Sequence, residues 1–256
     1  MTLPSAAAER DDLLSKVPAV TLGFWAIKVL ATTLGETGGD TLSMTLDLGY
    51  LASTAIFAAI LIGMVVWQVR AARFDPALYW GTIIASTKAG TTLADFADRS
   101  LGIGYTGGSA LLLALVLGSL LAWRLAVGRI AADHIHDRRS EIFYWVTITF
   151  SQTLGTALGD GFADAAGLGY LGAAVIFARA LAVVAVLYWR TAADKVLLFW
   201  AAFILTRPLG AAVGDFLDKP LDHGGLDVSR PVASAVLAGA IVLLMLMLPQ
   251  RAGRHA

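Results

Sequence analysis

The chain has 256 residues, 57% of them apolar and only 15% charged, with a mean hydropathy of +0.72, whereas an ordinary soluble domain carries about 25% charged residues. These values exclude a conventional water-soluble core and point to an integral membrane protein. Nineteen basic residues balance nineteen acidic ones, so no overall positive field favours nucleic acid, and the absence of cysteine excludes disulfides and thiolate metal sites.

Residues 1–19 are polar and acidic and lack the basic and apolar regions of a cleaved signal peptide, so they are expected to form a cytoplasmic segment ahead of the first membrane helix. Paired apolar segments then follow, at 20–46 and 50–69, 77–98 and 105–127, 142–164 and 170–189, and 196–217 and 231–248. A run of roughly 20 apolar residues matches a hydrocarbon core of about 30 Å. The expected fold is all-α and integral to the membrane, with eight transmembrane helices in a single domain over 20–249.

The odd segments repeat one another. Trp25, Trp80, Trp145 and Trp200 each precede an aspartate, Asp40, Asp95, Asp160 or Asp215, by fifteen residues, and a glycine stands five residues before each Asp, at Gly35, Gly90, Gly155 and Gly210. Such self-similarity marks a repeat architecture. The units are 20–74, 75–129, 140–194 and 195–249, read as four helical hairpins. An even number of helices per unit makes the repeats parallel, so the expected arrangement is a pseudo-fourfold or two-plus-two bundle with the odd helices at its centre. Glycine at Gly49, Gly104 and Gly169, each followed by tyrosine, permits a tight reversal inside the first three hairpins; the fourth has a longer polar turn, and Pro231 fits the first turn of its last helix.

Twelve basic residues fall in the segments on one side of such a bundle and three, Arg99, Lys219 and Arg230, on the other, which predicts cytoplasmic termini in a bacterial inner membrane. All seven tryptophans lie toward the cytoplasmic end and are expected to form an aromatic belt; fifteen residues of helix, about 22 Å, then place each Asp in the far half of the bilayer. His134 and His136 lie in the polar linker between units two and three, read as a solvated loop with metal binding as the lesser alternative.

Positions eight, seven and four before each Asp share its helix face. They read Thr32, Thr33, Glu36, Asp40; Thr87, Lys88, Thr91, Asp95; Gln152, Thr153, Thr156, Asp160; and Arg207, Pro208, Ala211, Asp215. Charge at membrane depth is costly and marks ion paths or internal pairs. Candidate path residues are Glu36, Asp40, Lys88, Asp95, Gln152, Asp160, Arg207 and Asp215; candidate metal ligands are Glu36, Asp40, Asp95, Asp160 and Asp215, since hard cations take carboxylate oxygens. Five acids against two bases leave the cavity negative. The opposing reading makes these residues interhelical glue, caps and structural ion pairs. Arg179, mid-helix, is expected to pair with an Asp, and Lys28 to snorkel. No hydrolase, metalloprotease, phosphate-loop or dinucleotide motif is present, so the chain is not expected to be an enzyme and requires no cofactor.

The segments KVLATTLGETGGD, EIFYWVTITFSQTLGTALGDGFAD and FWAAFILTRPLGAAVGDF resemble a family of bacterial membrane proteins built from four copies of a repeat of about 55 residues. The resemblance spans nearly the whole chain and implies the fold and repeat count without an activity. GETGGDTLS is more weakly similar to the acidic signature of a manganese and calcium transporter family; an extra Gly separates the acids, and Thr41 stands where that signature is basic. The expected function is transport of a small cation, a divalent ion such as Mn²⁺ being substrate, in exchange for protons, with the lipid bilayer as partner. Alternatives are a non-transporting scaffold or sensor, and a carrier or intramembrane enzyme for a small organic solute.

Overall fold

The computed structural model describes residues 14–130, 135 and 137–254. His134 and His136 lie outside the described residues. Eight α-helices run through them: α1 (Leu22–Asp40), α2 (Gly49–Arg70), α3 (Pro76–Asp95), α4 (Tyr105–Val127), α5 (Arg138–Asp160), α6 (Gly169–Arg190), α7 (Lys195–Asp218) and α8 (Arg230–Met247). Two short strands, β1 (Leu14–Pro18) and β2 (Ala252–Arg254), pair antiparallel and tie the segment before α1 to the segment after α8.

Side-chain caps fix where several helices begin. Thr21, Asp75, Asp137, Asp194 and Ser229 accept backbone N–H groups in the first turns of α1, α3, α5, α7 and α8, which satisfies donors that a helix start leaves open. Pro76 and Pro231 sit in first turns, where their missing N–H costs nothing. The reversals before α2, α4 and α6 place Gly49, Gly104 and Gly169 at φ of 72°, 76° and 68°, the conformation for which the repeated glycine was expected.

Helices α1, α3, α5 and α7 form a closed ring, each packed against the next and α7 against α1. Their polar rows face one another, and the repeated glycines explain how they come so close. A Cβ on Gly35 would lie 2.3 Å from Thr87 Cβ; on Gly90, 3.0 Å from the Gln152 backbone; on Gly155, 2.1 Å from Arg207 Cγ; on Gly210, 2.2 Å from Thr32 Oγ1. Every unit thus receives, at its glycine, the residue eight before the Asp of the following unit, and the fourth unit receives it from the first. Gly35→Ala is therefore expected to destabilise the fold by about 1–3 kcal/mol through overpacking. Gly63→Ala, in an outer helix where an added Cβ meets nothing, serves as the control and should melt no lower than wild type; equal melting of the two variants would remove the close-approach explanation.

The outer helices correct the hairpin expectation. The two helices of one unit barely touch; instead α2 packs on α3, α4 on α5 and α6 on α7, while α8 closes the circle on α1. Links such as 71–75 and 191–194 are short, so an outer helix stays beside the inner helix that follows it. Each unit is consequently completed by its neighbour, and no unit can bury its faces alone.

Five helices, α2, α4, α6, α7 and α8, are long and apolar enough to cross a membrane. The remaining three are the ring helices with the most polar rows. Large apolar side chains such as Leu51, Ile62, Leu117, Leu121, Val183 and Leu246 are exposed around the outside, a surface that suits lipid rather than water.

The tryptophan end departs from the expected belt. Only Trp67 and Trp189 are strongly exposed, at 65% and 67%; Trp80, Trp123, Trp145 and Trp200 are buried. The residue before each repeated tryptophan is also aromatic (Phe24, Tyr79, Tyr144, Phe199), and these pairs stack across the ring as an aromatic plug, with the Tyr79 and Tyr144 hydroxyls 2.6 Å apart. The ring axis needs filling where no polar group lies, and large rings fill it. Across this end runs β1, whose Lys16 pairs with Glu141 at 2.9 Å and donates to the Gln68 and Val69 carbonyls.

Candidate functional site

Away from the aromatic plug the ring interior becomes polar, and it is built in layers. Thr32, Thr87, Gln152 and Arg207 form the first, each seated on a glycine of the preceding unit. Gln152 reaches Ser86 at 3.5 Å and leaves its Oε1 without a partner. Arg207 is fully buried and runs along the axis into the next layer, which holds Glu36, Thr91, Thr156 and Ala211. Its guanidinium meets Glu36 at 2.9 Å and donates to Thr91 Oγ1 at 2.6 Å, to Thr156 Oγ1, and to the Thr32 carbonyl at 3.4 Å. One side chain of α7 thereby binds all three other ring helices. This is the charge-assisted, multidentate contact for which arginine is suited and lysine is not.

Beyond Glu36 lie the four aspartates, Asp40, Asp95, Asp160 and Asp215, all between 1% and 3% exposed. In the first three units the Asp is the last α-helical residue before a five-residue π-helical turn, at 41–45, 96–100 and 161–165. Such turns widen the helix and recur at functional sites. In the fourth unit α7 continues to Asp218.

Two basic residues close this layer from the far end. Arg99 bridges Asp95, at 3.0 Å, to Asp160, at 3.3 Å; Lys219 bridges Asp215, at 3.0 Å, to Asp40, at 2.8 Å. Arg230 adds weaker contacts to Asp40 at 3.9 Å and Asp218 at 3.5 Å. The clamps are related by a pseudo-twofold, and they span the seams between units two and three and between four and one. At the two seams they leave open, Glu36 completes a triad: with Asp40 and Asp95 on one side, and with Asp160 and Asp215 on the other, carboxylate oxygens lie within 4.8 Å of one another. Asp40 Oδ1 and Asp160 Oδ1 are buried without a hydrogen-bond partner. A third group joins Asp40, Asp215 and Asp218 at the rim.

The family described as Repeat of Unknown Function (DUF347) matches the chain four times, at residues 23–74, 78–128, 143–194 and 198–251. The chain belongs to this repeat family. Comparison with curated proteins and with solved structures returned no match. In this chain the DUF347 repeat supplies the frame of tryptophan, glycine and aspartate, while the charges that make the site asymmetric, Glu36 and Arg207, each occur in one copy.

Seven of the eight expected path residues meet inside the ring of DUF347 units; Lys88 does not. Its ammonium lies beside Gly38, where an added Cβ would collide with it, and over the Phe57 ring at 5.5 Å, on the outer side of the seam between α1 and α3. Position seven before the Asp is turned from the axis, and only positions eight and four point inward. Lys28 is corrected too: it does not snorkel but is fully buried over the Phe203 ring, 3.9 Å from the centroid, with no hydrogen-bond partner for Nζ. Arg179, expected to pair with an Asp, is exposed on α6.

Arg99, Lys219, Arg230 and Asp218 were not anticipated as site residues. Their signal is in the DUF347 copies themselves: units two and four alone read Asp-Phe-x-Asp-Arg/Lys, as DFADR and DFLDK, and place a base one helical turn after the repeated Asp. With them, six acids face four bases at this end of the ring.

Proposed function

We propose that all eight helices cross the membrane and that the protein is a carrier of a small cation, with a divalent ion such as Mn²⁺ as substrate and protons as the exchanged species. The observation that carries this reading is the pair of open seams, where buried carboxylates share Glu36 and where Asp40 and Asp160 each keep an oxygen without a partner. Oxygen ligands within 4.8 Å of one another can surround a hard cation, and a carboxylate that lets the ion go can take a proton. Acids in excess over bases favour a positive substrate. Because Glu36 serves both seams, occupancy at one withdraws a ligand from the other, and a cation must compete with Arg207 for it.

The topology belongs to the same proposal. The pairing of β1 with β2 keeps the segments before α1 and after α8 on the tryptophan side, and the bases on the opposite side are engaged by the acids of the ring. The excess of basic residues therefore orients the tryptophan side toward the cytoplasm. On this reading Arg207 on the axis and the aromatic plug behind it close the path toward that side, as a carrier requires between openings.

Purified protein tests the reading by melting in the presence of Mn²⁺, Mg²⁺, Ca²⁺ and Zn²⁺ in turn. Wild type is expected to gain stability with at least one divalent ion, in proportion to the logarithm of its concentration once the site saturates. The variant carrying Glu36→Gln with Asp40→Asn should gain none. No shift for wild type with any ion, or an equal shift for the variant, would overturn the metal assignment.

A further inference from the structure

Arg179 is the one charged side chain at mid-height on an outer helix among the described residues. It is exposed and bonded to nothing there, and it points away from α7, against which α6 packs. Ten residues separate it from Gly169 and eleven from Arg190, so about 15 Å of helix lies on either side. That is further than an arginine side chain spans, so snorkelling to a headgroup phosphate does not satisfy it. Around it stand Gly172, Val175, Ile176, Ala182, Val183 and Val186, which make a smooth face suited to close helix packing.

We propose that this face of α6 docks a transmembrane helix of a partner protein that carries a carboxylate at mid-membrane, paired with Arg179. The proposal rests on the membrane-spanning assignment of α6 and is independent of what the ring carries. Charge selects the occupant. A second copy of the chain related by a twofold would bring two Arg179 guanidinium groups together. Nor could it offer another face, because every exposed carboxylate among the described residues, such as Asp47, Asp75, Asp164, Asp194, Asp222 or Asp227, lies in a turn or a cap and none at mid-height. A purely apolar helix would leave the guanidinium as unpaired as lipid does. A buried carboxylate with bidentate geometry is the partner that a desolvated arginine accepts.

Since the chain has no cysteine, single thiols can be placed at will. The protein is labelled at an introduced Ala192→Cys, exposed in the link after α6 and outside the docking face, and reconstituted into phosphatidylcholine vesicles with synthetic poly-leucine transmembrane peptides. These carry Asp, Asn or Leu at the central position, and association is read by energy transfer. The Asp peptide is expected to associate at least tenfold more tightly than the Leu peptide, Arg179→Lys to keep part of that preference and Arg179→Leu to lose it. Equal association of the three peptides, or a preference that survives Arg179→Leu, would overturn the docking assignment. So would efficient cross-linking of Val183→Cys between two copies at low protein density, which would give the face to a dimer. Labelling of Arg179→Cys by a membrane-impermeant maleimide is a separate outcome: it would show that the position faces water and would remove the membrane-spanning assignment on which the proposal rests.

Discussion

Arg207→Met is expected to be the most damaging single substitution in the ring, lowering stability by about 3–5 kcal/mol, and Glu36→Gln added to it should recover much of the loss. Removing one partner of a buried ion pair strands the other, while removing both costs little when the shape is kept. Glu36 sits 2.9 Å from the guanidinium with almost no exposure, and Thr91 and Thr156 would lose the donor that they share. Met keeps most of the volume between Gly155 and the axis, so the cavity contribution is small and the charge effect is isolated. Melting curves of the two single variants and the double variant, arranged as a double-mutant cycle, give the coupling directly. A single Arg207→Met variant as stable as wild type, or a double variant no better than the single, would show that the pair does not hold the ring.

Glu36→Gln is expected to reduce cation uptake to less than a tenth, whereas Lys88→Met should leave most of it. Glu36 belongs to both open triads, so its neutralisation removes a ligand from each seam at once. No other acid in the ring has that position: Asp95 and Asp160 share Arg99, and Asp40 and Asp215 share Lys219. Lys88, although it stands one residue from the inward face in sequence, lies outside the seam, and its loss removes no group from the ring. Uptake of radioactive Mn²⁺ by cells expressing each variant at matched levels distinguishes the two. Comparable losses for both would mean that uptake does not depend on the geometry of the triads.

Much of the architecture was legible because the sequence repeats. The spacing of Trp25, Gly35 and Asp40, copied three more times, was enough to put the odd helices at the centre, and the structure gives each glycine its reason in the residue it receives from the next unit. Pairing between units was not legible. Local sequence shows that an outer helix is apolar all round, yet it does not say which inner helix it covers; that is set by link lengths and by closure of α8 on α1. The site was read in the same uneven way. Glu36, the four aspartates, Gln152 and Arg207 lie at inward positions of a 3.6-residue period, and they meet. Lys88 was misplaced because one residue is 100° of helix, enough to turn a side chain out of the ring. Arg99 and Lys219 were counted only as topology signals, although their place four residues after an Asp already paired them. The π-helical turns after Asp40, Asp95 and Asp160 have no local signature in the residues they contain.

The central claim is that the carboxylates of the ring exchange a cation for protons, and reconstituted vesicles test it most directly. Purified protein is placed in proteoliposomes containing a pH-sensitive dye, Mn²⁺ is added outside, and uptake and lumenal pH are followed together. Wild type should take up the ion while the lumen becomes more alkaline, as protons leave in exchange, and the Glu36→Gln protein should do neither. Uptake no faster than in protein-free vesicles, or uptake by wild type with no movement of protons, would contradict the account.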